Sequence, residues 1–247
     1  MKKNKVNVSG AHPLGQDILQ ISVEGAIATL VMNIPEKRNA MCEELLHALE
    51  AFFAAPPSGV KVAILTGTAG HYCSGLDLSE HVHREPEENF YHSRHWHSVM
   101  EKIQFGGLAV VSAMFGAVIG GGIELAAATH VRIAEPSTIF QLPEGRRGIF
   151  VGGGATARVG RIIGPDRMTE MMLTGRNIRR MRARPWSAHY SVGAGEAMTL
   201  AQTLAGKISR NAPFANMLML QAIPRINDMG RDDGLFAEAL AASMSQT

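Results

Sequence analysis

Residues 108–134 read LAVVSAMFGAVIGGGIELAAATHVRIA, and the fold class turns on this stretch. Its first part, over 108–115, predicts a buried strand rich in β-branched side chains. The glycines at 116, 120, 121 and 122 let the backbone turn tightly, and 120–129 predicts a helix. A short strand follows over 131–134. Charge is absent only from Leu108 to Ile123, 16 residues, which falls short of the roughly 20 needed to span a bilayer. The segment is therefore a strand passing into a helix, and no membrane partner is expected.

The same alternation extends outward. A strand is predicted over 27–33, ended by Pro35. A helix is predicted over 41–53, where Leu45, Leu49 and Phe52 recur on one face and Leu46 and Phe53 widen it. Asn39 is placed to cap that helix, and Glu43 sits in its first turns, where the dipole favours an acid. After the loop at 56–59 comes a strand over 60–66, then a glycine-punctuated loop over 67–75. Beyond 134, a short strand over 138–140 precedes helices over 155–163 and 165–173. Strands alternating with helices make this an α/β chain. Strand signals stop after about residue 186. Helical patterns at 196–209, with Leu200, Leu204 and Ile208 on one face, and at 214–226 mark an α-helical C-terminal region. No internal repeat is evident. The division expected is a core over 1–185 and a helical region over 186–247.

Composition narrows the function classes. The 247 residues carry 24 basic and 22 acidic side chains, a formal charge of +2. Nucleic-acid binding calls for a clear basic excess, so that partner is not expected. Two cysteines, Cys42 and Cys73, cannot build a disulfide framework or a cysteine-based zinc site. They read as reduced thiols, and the expected location is cytoplasmic. The N-terminal MKKNKVNVSGAHP is basic, but no apolar run follows it as in a secretory signal.

Three segments carry candidate chemistry. In Gly116–Glu124 the free N–H groups at a helix start suit an anion or a developing oxyanion. The alternative is glycine-permitted packing of helix on strand. The segment is not a P-loop, because no Lys-Ser/Thr follows, nor a G-x-G-x-x-G fingerprint. Glu124 inside an apolar helix is costly unless it faces a cleft or a partner, or caps the turn. In FQLPEG (140–145), Glu144 follows a strand and precedes Gly152-Gly153-Gly154. It is either a solvated loop residue or the second of two carboxylates sharing acid and base roles. In GHYCSGLDL (70–78) the backbone is placed to offer an N–H opposite Gly121, with Asp77 alternatively capping a helix.

In this order and spacing, NIPEKRNAM, LTGTAGHYCSGLDL, FGAVIGGGIELAAATHVRIA, FQLPEGRRGIFVGGGATARVGRIIG and MMLTGR resemble the crotonase superfamily, the enoyl-CoA hydratase/isomerase family. The resemblance covers about 27–175. It implies a spiral of ββα turns, with C-terminal helices supporting a homotrimer or a dimer of trimers, and an acyl-CoA substrate. No metal and no separate cofactor are implied, coenzyme A being part of the substrate. By position, Leu76 and Gly121 match the residues whose amides hold the thioester oxygen. Glu124 and Glu144 match the two glutamates that add water across the C2=C3 bond of a 2-enoyl-CoA. Lys37, Arg38, Ala40, Ser74, Asp77 and Leu78 match the CoA path. Keeping both glutamates favours a hydratase, a carbon–oxygen lyase of fatty acid metabolism. Isomerase, acyl-CoA hydrolase and a non-catalytic acyl-CoA-binding subunit remain alternatives.

Two features stand outside the match. The stretch 176–187 holds five arginines between Arg176 and Arg184 and no apolar periodicity. It reads as a poorly packed basic loop near CoA phosphates or a subunit contact, or as the product of a local frame slip. The histidines at 81, 83, 92, 95 and 97 are irregularly spaced and read as the polar face of a helix over the pocket rather than as metal ligands. The resemblance puts this segment over the acyl tail, which implies that Phe90, Tyr91 and Trp96 shape acyl selectivity. Met168, Met171 and Met172 read as core filler.

Overall fold

The computed structural model describes residues 4–5, 18–80, 85–179 and 188–245. His81, His83 and most of the arginine-rich stretch, residues 180–187, lie outside the described residues. The main sheet runs in the order β1 (Asn4–Lys5), β2 (Leu19–Glu24), β3 (Ile27–Met32), β4 (Val62–Gly67), β5 (Ala109–Met114), β7 (Val131–Ala134) and β10 (Tyr190–Ser191). The first three strands pair antiparallel, and from β3 onward every pairing is parallel. A second, smaller sheet joins β6 (Ala117–Ile119), β8 (Ile139–Gln141) and β9 (Ile178–Arg179).

Each turn of the chain contributes a main-sheet strand, a segment in the second layer and a helix. β5, β6 and α3 (Gly121–Ala128) form one such turn. β7, β8 and α4 (Ala155–Ile163) form the next. The earlier turns keep the pattern with single bridges, Cys73 beside Val118 and Met41 beside Leu76. This is the ββα spiral that the resemblance implied. Its repeat lies in backbone register and leaves no matching repeat of side chains, so it was invisible in the sequence.

Parallel strands covered on both faces are apolar throughout, and β4 and β5 are buried at every residue. Successive side chains alternate between two cores. Ala63, Leu65, Val110 and Met114 face the core built with α1 (Glu43–Ala54) and α2 (Pro86–Phe105). Val62, Ile64, Ala109, Val111 and Ala113 face Ala197, Ala201 and Ala205 of α6 (Ala197–Ile208). Met168 and Met171, from α5 (Pro165–Thr174), are buried filler as expected. The chain ends in α7 (Pro213–Ile226) and α8 (Arg231–Met244). Among the described residues no helix is long and apolar enough to cross a membrane.

Several local expectations change. Strand character does not stop at 186, because β10 adds to the main sheet beside β7. A two-residue strand is too short to leave a periodic signal. The stretch between Gly116 and Gly120 is not a simple turn. It holds β6 between two glycines of positive φ, 57° and 51°. Asn39 does not cap α1, whose N-cap is Cys42. Buried, at φ 57°, Asn39 accepts from the Ile34 amide and donates to the carbonyls of Thr68 and His71. It pins the loop after β3 to the loop after β4.

Candidate active site

The functional side chains sit where successive turns leave the sheet. The loop after β3 carries Lys37 to Ala40, the loop after β4 carries Ser74 to Leu78, and β6 leads into α3. Gly120, the N-cap of α3 at φ 51° and ψ −118°, reverses the chain so that α3 begins directly against Cys73–Leu76. Close approach explains the glycines here. A Cβ on Gly122 would collide with the Cys73 carbonyl, and one on Gly121 would lie 3.1 Å from the Trp96 ring and 3.4 Å from the Leu76 nitrogen. The first amides of a helix lack intrahelical acceptors. Neither Gly121 nor Leu76 donates a backbone hydrogen bond to another described residue. Their neighbours do: Met41 N–H bonds to the Gly75 carbonyl and Asp77 N–H to the Met41 carbonyl. The chain is thus clamped on both sides of Leu76 while its own amide stays available.

Leu76, Gly121, Glu124 and Glu144 line one cavity of about 320 Å³, together with Trp96 and the 149–153 loop. Glu124 lies in the first turn of α3, all of whose residues are buried. Its Oε1 accepts from the amides of Gly153 (2.9 Å) and Ala155 (3.1 Å). Burial pushes its carboxyl up to about 7. The two amides oppose that rise, the Glu144 charge adds to it and the Arg158 charge opposes it. Arg158 steadies the same loop through the Gly153 carbonyl (3.3 Å) and Gln104 Oε1 (2.6 Å).

Glu144 opens a short 3-10 turn, Glu144–Arg147. Its Oε1 hangs over Gly120, 2.9 Å from where a Cβ would stand. Its Oε2 is buried with no hydrogen-bond partner among the described residues. Burial raises its pKa as well, opposed by its own backbone amide and by the Arg147 charge. Two acids held above their usual range thus share one small cavity with two available amides.

A second cavity, of about 660 Å³, meets the first at Leu76. Lys37, Arg38, Ala40, Ser74, Asp77 and Leu78 all line it, and Arg146 and Arg147 join them. Lys37 Nζ contacts Asp77 Oδ2 at 2.6 Å and Ser79 Oγ at 2.9 Å. That bond raises the Lys37 pKa. Burial works to raise the Asp77 pKa, but Lys37 and Ser79 outweigh it, and the net shift is downward. Asp77 therefore closes a turn onto Ser79 and pairs a lysine. It is not a helix cap.

The cavity wall departs from expectation at α2. Asn89, His92, Ser93 and Trp96 face inward, as spacings of three and four place them on one helix face. Phe90 and Tyr91 fall on the opposite side, 60% and 62% exposed, so they do not line the cavity. Ser93 Oγ donates to the Gly152 carbonyl at 2.6 Å, tying α2 to the glycine loop. Ser93 and the amides of Gly153 and Ala155 were not singled out in the sequence. The glycine run at 152–154 was the one available signal.

A family-wide profile described as enoyl-CoA hydratase/isomerase matches residues 22–219. The chain belongs to that family. Within this crotonase superfamily, a short-chain-enoyl-CoA hydratase of Clostridium acetobutylicum is 30% identical over 222 residues, covering 88% of this chain and 85% of that protein. A solved structure from Rhodopseudomonas palustris, named as a candidate enoyl-CoA hydratase, is 39% identical with a TM-score of 0.91, covering 97% of this chain and 92% of that one. An enoyl-CoA hydratase structure from Bacillus anthracis is 27% identical with a TM-score of 0.85, covering 92% and 90%. The family is shared, and the α/β spiral with it.

Proposed function

We propose that the protein is a 2-enoyl-CoA hydratase in which Glu124 and Glu144 activate the water and return its proton. The observation that carries this reading is the buried Oε2 of Glu144, without a partner among the described residues, in one cavity with Glu124 and with the available amides of Leu76 and Gly121. A thioester oxygen held by those two amides gains hydrogen bonds as negative charge grows on it. Water then gives one proton to a carboxylate while its oxygen bonds to C3. The C2=C3 π pair moves toward the thioester, and the enolate takes a proton at C2 from a carboxylic acid. One water is consumed and the pair returns to its starting protonation, so a single shared proton suffices. The basic cavity beyond Leu76 suits the phosphates of coenzyme A, with Lys37, Arg38, Arg146 and Arg147 around it.

The direct test follows loss of the conjugated chromophore of crotonyl-CoA in the wild type and in Glu124→Gln and Glu144→Gln. Hydration abolished by both changes supports the proposal. Turnover confined to 3-enoyl or saturated thioesters replaces it with isomerase or hydrolase chemistry. CoA binding without any turnover replaces it with a binding subunit.

The reading extends to assembly as a homotrimer or dimer of trimers through the 186–247 region. Leu235, Phe236 and Leu240 on α8 and Ile223 on α7 are all more than half exposed, apolar surface that association would cover. A monomeric mass by light scattering would remove this extension.

A further inference from the structure

The sequence offered its histidines as one group on one segment. The fold regroups them by bringing α1 against α2. Glu43, His47 and Glu50 lie at helical spacing on α1, and His92, His95 and Lys102 lie at helical spacing on α2. We propose that this seam is a binding site for a divalent first-row transition-metal ion, with Glu43, His47 and His95 as its ligands.

One donor atom from each of the three lies within 4.8 Å of the other two. A tetrahedral ion with bonds of about 2.0–2.2 Å wants donors roughly 3.3–3.6 Å apart. The remaining closure is a matter of side-chain rotation. His47 is exposed, Glu43 and His95 are half-buried, and the backbones beneath them are fixed. Leu45, Leu46, Leu49 and Phe52 of α1 are buried in the same core as Trp96, Val99, Met100 and Ile103 of α2. The two imidazole rings already stand 5.1 Å apart, tilted by 36°.

A second observation points to a ligand. Glu50 Oε2 contacts His95 Nε2 at 3.0 Å, and Lys102 Nζ holds the other oxygen of Glu50 at 3.1 Å. A carboxylate bonded to one nitrogen of an imidazole orients the ring and leaves the other nitrogen with its lone pair, as outer carboxylates do for metal-bound histidines. Glu43 is steadied in turn by His92 at 2.7 Å. Two carboxylates against one lysine leave the seam net negative when the rings are neutral. Imidazole nitrogen with one carboxylate oxygen is a donor set for zinc, nickel, cobalt or copper rather than for calcium or magnesium. The three proposed ligands lie outside the Glu124–Glu144 cavity, which His92 lines, and α2 borders both. An ion here would pin that wall to α1.

The test uses tag-free, chelator-treated full-length protein. Zn2+ is titrated by calorimetry, and Co2+ is followed by its visible absorption. The expected result is one Zn2+ per chain, a tetrahedral-type Co2+ spectrum, and at least a tenfold loss of affinity in His47→Ala and in His95→Ala. His97→Ala, on α2 but outside the trio, should bind as the wild type does. Zn2+ should also raise the unfolding temperature of the wild type and not of His47→Ala, whose exposed side chain is dispensable for folding. Glu43→Gln, close in shape to the native residue, repeats the comparison should His95→Ala fold poorly. The proposal is overturned by the absence of saturable binding, or by affinity unchanged in both histidine variants.

Discussion

The two cavities that meet at Leu76 treat charge in opposite ways. On one side Glu124 and Glu144 are buried, and removal from water is the leading cause of both raised pKa values. On the other side Lys37 and Asp77 keep their charges by pairing, with the lysine side chain 41% exposed. The difference teaches where sensitivity lies. In the first cavity both carboxylates are withdrawn from water, so a change of one atom on either shifts both protonation and chemistry. In the second cavity water and salt screen the exposed Lys37, although its partner Asp77 is itself buried.

The contrast is broken most directly at the carboxylates. Glu144→Gln and Glu124→Gln should each lower crotonyl-CoA turnover by roughly 10²–10⁴-fold with little change in CoA affinity. A loss under tenfold in stopped assays would place the first cavity on the same footing as the second.

Stability should move the other way. Between the ordinary Glu value of 4.5 and about 7, the unfolded chain releases the Glu124 proton before the folded chain does. The contribution of Glu124 to stability therefore falls as pH rises through that window and levels off above it, while the lowered pKa values of His71, His97, His130 and His189 act in the opposite direction, so the comparison with the variant isolates it. The loss is about 3 kcal/mol. Glu124→Gln escapes it and should be the more stable protein at pH 8, with the advantage gone near pH 4. Denaturant titrations at the two pH values check the sign. The chemistry, needing one proton on the pair, should fade as pH climbs past about 7.

Gly153→Ala sharpens the comparison without touching a charge. Its Cβ would stand 2.5 Å from Glu124 Oε2 and 2.8 Å from the Trp96 ring. Crowding of this kind costs roughly 1–3 kcal/mol, and kcat should fall more than KM rises. Smallest is Lys37→Ala. Removing one exposed, paired charge should raise the KM for acyl-CoA by less than about fivefold, corresponding to at most about 1 kcal/mol. That effect should shrink further in high salt. An effect as large as that of Gly153→Ala would mean the second cavity is drier than its geometry indicates.

Much of this was legible from local pattern. The apolar runs at β4 and β5, the glycines before Glu124 and the stripe on α1 each report a burial demand carried by neighbouring residues. The two glutamates stood out because a carboxylate in an apolar helix, or beside a glycine run, needs an environment to justify it. Phe90 and Tyr91 were misread because aromatic character says nothing about which helix face meets the cavity. Asn39 was misread because its bonds run to residues 68 and 71.

What the chain determined by itself was the α/β class, the order of its elements and the candidate acids, all properties of residues within one turn or strand of each other. What only the tertiary structure decided was which amides stay available and which oxygen of Glu144 lacks a partner among the described residues, and that His47 stands beside His95. Those depend on distances between segments some 20 to 50 residues apart, set by the register of successive spiral turns. Hydrogen bonding and desolvation act over a few ångströms, so the chemistry exists only after that register has been made.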